Sequence, residues 1–541
     1  MRKIGFKNFR KFEDFPSINL APITFFVGEN NAGKSTVVKG LLALSDFLLG
    51  KHNFENNSYL MRDMEESDEE FAERMKSKLA DIRFYFNSSY LAHIGTFRRA
   101  LYNKASNETI VFNTNIGYSD ITLNIIGKKK NEELVWGTVS SILLKDNAYQ
   151  IEMFFDLIND IANITFNSRK ESQGIRFLDQ QRSDMLDKYF ECIEKPVTIS
   201  TCISNYWSAN RTDLIASLIE ALETAINATI YPIYLPEEEN ANLRYIRRQR
   251  YTCTKRIENI DEATISFLKL ISEKYFNTNP IGRENKRFRI PYSRVFRYSE
   301  FDIEYLYAHA VSQTVIYSAK DTNDYLSRTI HEFASAQKQQ DKSQKEFIVK
   351  WMKEFGIGID YKISSVGGEA HIVTIINSDG KEVNLADKGM GSIQLMVLLF
   401  RLAITLPSKR EIRNARVHHF HNLMNGKMVI IEEPEQNLHP MLQSKLADLF
   451  FKLNTEYGFR FLIETHSEYI IRRSQVIVRE QFASQECLES QNPFKVYYFP
   501  SDGIPYDMKY TFNGHFEEAF GTGFFDEAGK WTRELTRNKK K

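Results

Sequence analysis

The feature that most constrains this chain is the run GENNAGKST at 28–36. It follows ITFFV at 23–27, a short apolar run of the kind a strand shows when both its faces are buried. It precedes VVKGLLALSDFLLG at 37–50, which has helical periodicity. Gly28, Gly33, Lys34 and Ser35 complete the pattern GxxxxGK[ST]. Glycines at these positions let backbone N–H groups turn inward around phosphate oxygens, and a helix starting there points its positive end at the same anion. Lys34 is placed to reach the β- and γ-phosphates and Ser35 to ligate Mg2+. Asn30, Asn31, Ala32 and Thr36 fill out the cradle. A plain glycine turn with an exposed lysine is the competing reading, and the flanking strand and helix weigh against it.

Two further segments bring acids and a histidine to strand ends. In MVIIEEPE at 428–435, four apolar residues run into Glu432 and Glu433. Open α/β sheets bind ligands at the carboxyl ends of their strands. Glu432 is suited to hold Mg2+ through water, and Glu433 to orient or deprotonate an attacking water. Taken alone, a surface acidic turn competes evenly with this reading. About thirty residues later an apolar strand ends in Glu464, Thr465, His466 and Ser467. A neutral imidazole there can hydrogen-bond a γ-phosphate or the water. A second glycine loop, DKGMGSIQ at 387–394, opens a helix and offers Gly389, Gly391 and Ser392 to a phosphate. One nucleotide does not need two such loops from one molecule. A two-fold dimer, each loop capping the other subunit's nucleotide, is the natural solution; a plain helix N-cap would look similar.

Composition narrows the classes. The 541 residues suggest about three to four structural units. Lys+Arg 71 against Asp+Glu 70 leaves a net charge of +1, which argues against coating nucleic acid by bulk charge but not against a local basic groove. The four cysteines form no CxxC pair, so a structural zinc site is not expected. The basic N-terminus lacks the apolar stretch of a signal peptide, and no run approaches the roughly 18 apolar residues of a membrane span. A cytoplasmic chain without membrane contact is the expectation.

Along the chain, four segments are expected: 1–130 with the phosphate loop and strands, 131–345 mainly helical, 346–480 with the remaining motifs in α/β order, and 481–541 as a short tail. Helices are expected at 61–79, 212–228 and 305–339, and a buried helix interrupted by Arg401 at 393–406. Strands joined by an Asp-Gly turn are expected within 361–387. Arg244, Arg247, Arg248, Arg250, Lys255 and Arg256 form the densest basic cluster. It is either a DNA groove or a solvated helix face or inter-subunit contact.

Together the four motifs resemble the ABC-type ATPase head shared by SMC-like proteins, the overcoming-lysogenisation-defect (OLD) family and related bacterial anti-phage ATPases. GENNAGKST is similar to that group's phosphate loop, EEPEQNLHP to its acidic strand and D-loop, ETHSEYII to its switch-histidine segment, and LADKGMGSIQ to its signature loop. Glu432 stands where many ABC ATPases carry Asp. The resemblance implies an α/β fold: a P-loop head with a mixed, mostly parallel core sheet and an antiparallel β-lobe, plus a mainly helical inserted domain. It implies ATP and Mg2+ as cofactors, Lys34, Glu433 and His466 as catalytic residues, and Ser35 and Glu432 as metal ligands. It places Gln436, Asn437, Leu438 and His439 at the seam of a homodimer or higher oligomer. Similar ATPases act in Septu-type, retron-linked and PARIS-type phage defence, where the partner is a nuclease or toxin, and no built-in Toprim nuclease domain is expected here. Here double-stranded DNA and a phage protein are the candidate triggers. An SMC-like ATPase of DNA repair or chromosome maintenance, and a non-hydrolysing nucleotide-dependent scaffold, are the alternatives.

Overall fold

A computed structural model describes residues 3–49, 66–86, 93–167, 196–207, 214–234, 257, 303–306, 315–318, 324–337, 342–406 and 428–537, apart from 117–118, 148–149, 368–369, 483, 502 and 522–523 within those stretches. The basic cluster at 244–256 lies outside the described residues. Two compact units form, one from residues 1–19 and 39–301, the other from 20–38 and 302–541.

The first unit is built on antiparallel pairing. Its strands are β1 (Lys3–Phe9) and β2 (Phe12–Asn19), then, beyond the phosphate-loop strand β3 (Ile23–Gly28) of the other unit, β4 (Arg83–Phe84), β5 (Thr109–Ile116), β6 (Ser119–Lys130), β7 (Glu133–Asp146), β8 (Ile151–Asp156), β9 (Ile161–Phe166) and β10 (Val197–Cys202). They hydrogen-bond in the order β10-β9-β8-β7-β6-β5-β1-β2, with β4 on β7. Phe6, Phe9, Phe12, Phe15 and Phe112 pack together, with the Phe6 and Phe15 rings stacked at 4.5 Å. Helices run over Asp68–Ala80, capped by Ser67 and Glu70 in a reciprocal box, and over Leu214–Tyr234.

The expectation of a mainly helical block from 131 fails at its start, because β7 to β10 continue the antiparallel sheet to Cys202. Two features break the apolar–polar alternation there. Bulges shift the β6–β7 register at Asn124/Ile125 and Lys128/Lys129. In β8 the half-buried face also carries an apolar residue, Phe154, between buried Met153 and Phe155.

The second unit holds a mostly parallel sheet. β11 (Ile303–Leu306), β16 (Met428–Glu432), β17 (Arg460–Glu464), β3 and β18 (Phe494–Phe499) run parallel, and β19 (Tyr506–Asp507) closes the edge antiparallel. A smaller antiparallel sheet contains β12 (Tyr317–Ser318), β13 (Asp360–Val366), β14 (Ala370–Ile376) and β15 (Glu382–Asn384). Gly380, at φ +80°, makes the expected Asp-Gly turn between β14 and β15. The helix Met390–Thr405 is buried almost throughout. Its Arg401 lies between Glu304 and Glu332, donates to Thr329 Oγ1 at 2.8 Å and stacks over Tyr325.

Two boundaries differ from expectation. The second unit takes in β11 and the helix Tyr325–Gln337, and among the described residues the long helix expected at 305–339 is replaced by two short strands and one helix. Four residues of parallel core strand carry too few turns of any period to tell strand from helix. The segment beyond 481 is not a separate tail, because β18 pairs with β3 from Phe494↔Ile23 to Phe499↔Gly28.

That pairing bears directly on the phosphate loop. Gly28 has φ +136°, and a Cβ there would lie 2.1 Å from the Phe499 carbonyl oxygen. Glu29 N–H donates to the same oxygen at 3.1 Å. Gly28→Ala is therefore expected to lower stability by about 2–4 kcal/mol in urea titration, combining left-handed strain with the clash. Gly380→Ala, at φ +80° with open space around it, should cost about 1–2 kcal/mol.

Candidate functional site

The parallel register brings the carboxyl ends of three strands side by side: Glu432 stands opposite Glu464, and Glu464 opposite Phe26, just before Gly28. The helix Lys34–Leu48 begins directly after the loop. Within the loop Asn31 and Gly33 take positive φ, 60° and 107°, while Ala32 is buried. Thr36 and Val37 N–H donate to the Gly33 carbonyl at 3.0 and 3.2 Å, which closes the first helical turn.

Lys34 is 3% exposed and donates to the carbonyls of Gly28 at 3.1 Å and Glu29 at 2.8 Å. The ammonium is thus folded onto its own loop. Burial lowers its pKa, while Glu464 and Glu433 oppose that shift. Ser35 Oγ lies 3.1 Å from both carboxylate oxygens of Glu464. Burial, then repulsion from Glu432, pushes the Glu464 carboxyl up to about 7. The motifs point to Ser35 and Glu432 as metal ligands; the direct hydrogen bond of Ser35 is to Glu464. Its position at the last residue of an apolar strand was the available signal.

Glu433 sits in the left-handed region at φ 44°, and its N–H donates to the Glu464 carbonyl at 2.8 Å. Its Oε2 accepts from Gln436 Nε2. Its Oε1 is 4.0 Å from His466 Nε2, too far for a hydrogen bond. Burial, followed by Lys34, lowers the His466 pKa, with Glu433 acting the other way, so the imidazole is neutral at neutral pH. The glycine loop is tied to the turn after Glu433. Gly391 packs against the Asn437 carbonyl, where a Cβ would lie 2.5 Å from the oxygen, and Asn437 Nδ2 reaches Gln394 Oε1 at 3.4 Å. Lys388 anchors the loop on the Ile357 carbonyl at 3.0 Å and Asn377 Oδ1 at 2.6 Å. The helix after Gly389 has no side-chain cap.

The site thus gathers Lys34, Ser35, Glu432, Glu433, Glu464 and His466, and leaves Gly389, Gly391 and Ser392 on the neighbouring turn. The profile of the AAA ATPase domain matches residues 1–471. The chain belongs to the AAA ATPase domain family. Its fold is mixed α/β, with the phosphate loop and acidic strand on one mostly parallel sheet and an antiparallel sheet in the other unit. Among solved structures this ATPase is similar to the Smc head domain of Pyrococcus furiosus with an extended coiled coil bound to the C-terminal domain of ScpA. That match has 11% identity over 99% of this chain and 99% of that one, with TM-score 0.29. It is also similar to the SMC head domain from Thermotoga maritima, at 10% identity over 94% and 98%, with TM-score 0.28. No curated protein matches the chain.

Membership of the family implies a nucleotide, typically with Mg2+. The donors at the site fit such an ion: Ser35, Glu432 and Glu464 offer hard oxygen atoms, with Ser35 Oγ 3.1 Å from both Glu464 oxygens and Glu432 opposite Glu464 in register. Among the described residues no group of three His, Cys, Asp or Glu side chains is arranged to hold a metal. Mg2+ commonly completes its shell with water and phosphate oxygens. Among the described residues no helix is long and apolar enough to cross a membrane.

A pH dependence follows from Glu464. Its folded pKa of about 7 lies above the ordinary 4.5. Between those values the folded state holds a proton that the unfolded chain has released, so stability falls as pH rises through this window. Urea titrations of the nucleotide-free protein should show a loss on the order of 1–3 kcal/mol from pH 5 to pH 8. Glu464→Gln should shrink that loss, leaving only what other groups contribute.

Proposed function

We propose that this AAA ATPase binds Mg-ATP at the phosphate loop, hydrolyses it between two heads, and uses head dimerisation to regulate a separate effector, a nuclease or toxin of anti-phage defence. The observation that carries the ATPase part is the convergence of Lys34, Ser35, Glu433 and Glu464 at adjoining strand and helix ends. ATP would draw Lys34 off the Gly28 and Glu29 carbonyls and onto its β- and γ-phosphates, while the loop N–H groups and open helix terminus hold the remaining oxygens. Ser35, Glu432 and Glu464 would hold Mg2+, which supplies charge neutralisation on the phosphates when bound. Glu433 takes the proton of the attacking water as the new P–O bond forms and the bond to ADP breaks. Its backbone bond to Glu464 fixes where that base can sit. Neutral His466, beside it, can hydrogen-bond the γ-phosphate.

The uncapped helix start at Gly389 supports a role in trans for Gly389, Gly391 and Ser392 on a second copy's nucleotide. The effector and the defence role rest on the motif resemblance alone. Lys34→Ala should weaken ATP binding at least tenfold by calorimetry. Glu433→Gln should keep binding, lose about a hundredfold or more in turnover and accumulate an ATP-bound dimer in light scattering. Normal turnover in Glu433→Gln would contradict the assignment of the base. Purifying the tagged chain from its host with ATP and Mg2+ should bring down a nuclease or toxin in fixed proportion. Recovery of the chain with DNA only, with DNA-stimulated turnover, would replace the effector reading by an SMC-like, DNA-acting one.

A further inference from the structure

Glu435 has no part in the scheme above, and its surroundings set it apart. It stands two residues past Glu433, in the turn that leads to Asn437. Its Oε1 accepts the backbone N–H of His466 at 2.6 Å, across 31 residues of sequence, and the Thr465 side chain also bonds it. The residue as a whole is only part-buried, yet its Oε2 is sealed from solvent and has no hydrogen-bond partner among the described residues. Burial pushes its pKa up. An enclosed carboxylate with one idle oxygen is a poor stabilising device.

A second grip acts on the same segment. Ser467 Oγ donates to Gln443 Oε1 at 2.6 Å, and Gln443 Nε2 donates to the Leu438 carbonyl at 2.9 Å. Both grips on 465–467 therefore come from 435–443, the stretch that also carries Asn437 and packs under Gly391. The segment bearing His466 is not held by its own strand end alone; it is fastened to the turn that follows Glu433, the proposed base.

We infer that Glu435 is a positioning residue for ATP hydrolysis: through the His466 amide it fixes the histidine segment to the turn at 435–438, so that a displacement of that turn moves the imidazole relative to Glu433. This rests on the ATPase reading above. The idle oxygen is consistent with it, since only the Oε1 bond is needed to hold the amide. Gln443, acting through Ser467, sets the following residue and leaves the His466 amide to Glu435.

The test uses the full chain and four variants: Glu435→Ala, Glu435→Gln, His466→Ala, and Glu435→Ala with His466→Ala. Glu435→Ala should lower kcat about tenfold to a hundredfold, the scale of a misplaced reacting group, with KM for ATP within about twofold of the parent. Glu435→Gln keeps an acceptor at Oε1 and should retain most of kcat. In the His466→Ala background, Glu435→Ala should cost nothing further. Hydrogen exchange of the peptide spanning 460–468 should show the His466 amide unprotected in Glu435→Ala and protected in Glu435→Gln. Unchanged kcat in Glu435→Ala, additive losses in the double variant, or an amide as protected in Glu435→Ala as in the parent would each overturn the inference. A parent chain that binds ATP without turnover would instead remove the hydrolysis reading, and the exchange result would then decide the positioning role by itself.

Discussion

The parallel pairing of β17 with both β16 and β3 is the constraint on which the site depends. Parallel strands in register end together, and here they end in Glu432, Glu464 and the Gly28 turn. β18 fastens the other edge of β3 and presents the Phe499 carbonyl to Gly28 and Glu29. The result is a cluster of acids facing one buried lysine and one serine, beside a loop that turns through positive φ at Gly28, Asn31 and Gly33. Burial and then the neighbouring Glu432 push the Glu464 carboxyl up, and Lys34 lies on the Gly28 and Glu29 carbonyls.

How much of this can be read from sequence depends on whether a feature is local. The phosphate loop is local: two glycines, a lysine and a serine at fixed spacing demand that turn whatever the rest of the chain does. The apolar strands before Gly28 and Glu432 are equally plain, because strands buried on both faces leave unbroken apolar runs. The buried helix around Arg401 was legible too, and the structure supplies the reason an arginine is tolerated there: Glu304, Glu332, Thr329 and Tyr325 surround it.

What escaped the sequence was set by partners far along the chain. Glu464 looks like one more residue beside a histidine until Ser35, 429 positions away, is found on its carboxylate. Glu435 reads as part of an acidic turn until the His466 amide is found on Oε1. β18 is a six-residue segment near the C-terminus, and nothing within it says that it completes the phosphate-loop sheet. In the antiparallel unit, bulges and apolar residues on both faces erased the alternation that would have marked β7 and β8 as strands.

The central claim is that the acids and the lysine await a nucleotide shared between two heads. The direct measurement is an experimental structure of the Glu433→Gln chain with ATP and Mg2+. The expected result is two copies, with Lys34 moved from the Gly28 and Glu29 carbonyls to the phosphates, Ser35 withdrawn from Glu464, and Ser392 of the partner subunit against the γ-phosphate. A single chain with Lys34 still on its own loop, or ATP bound away from 28–36, would contradict it.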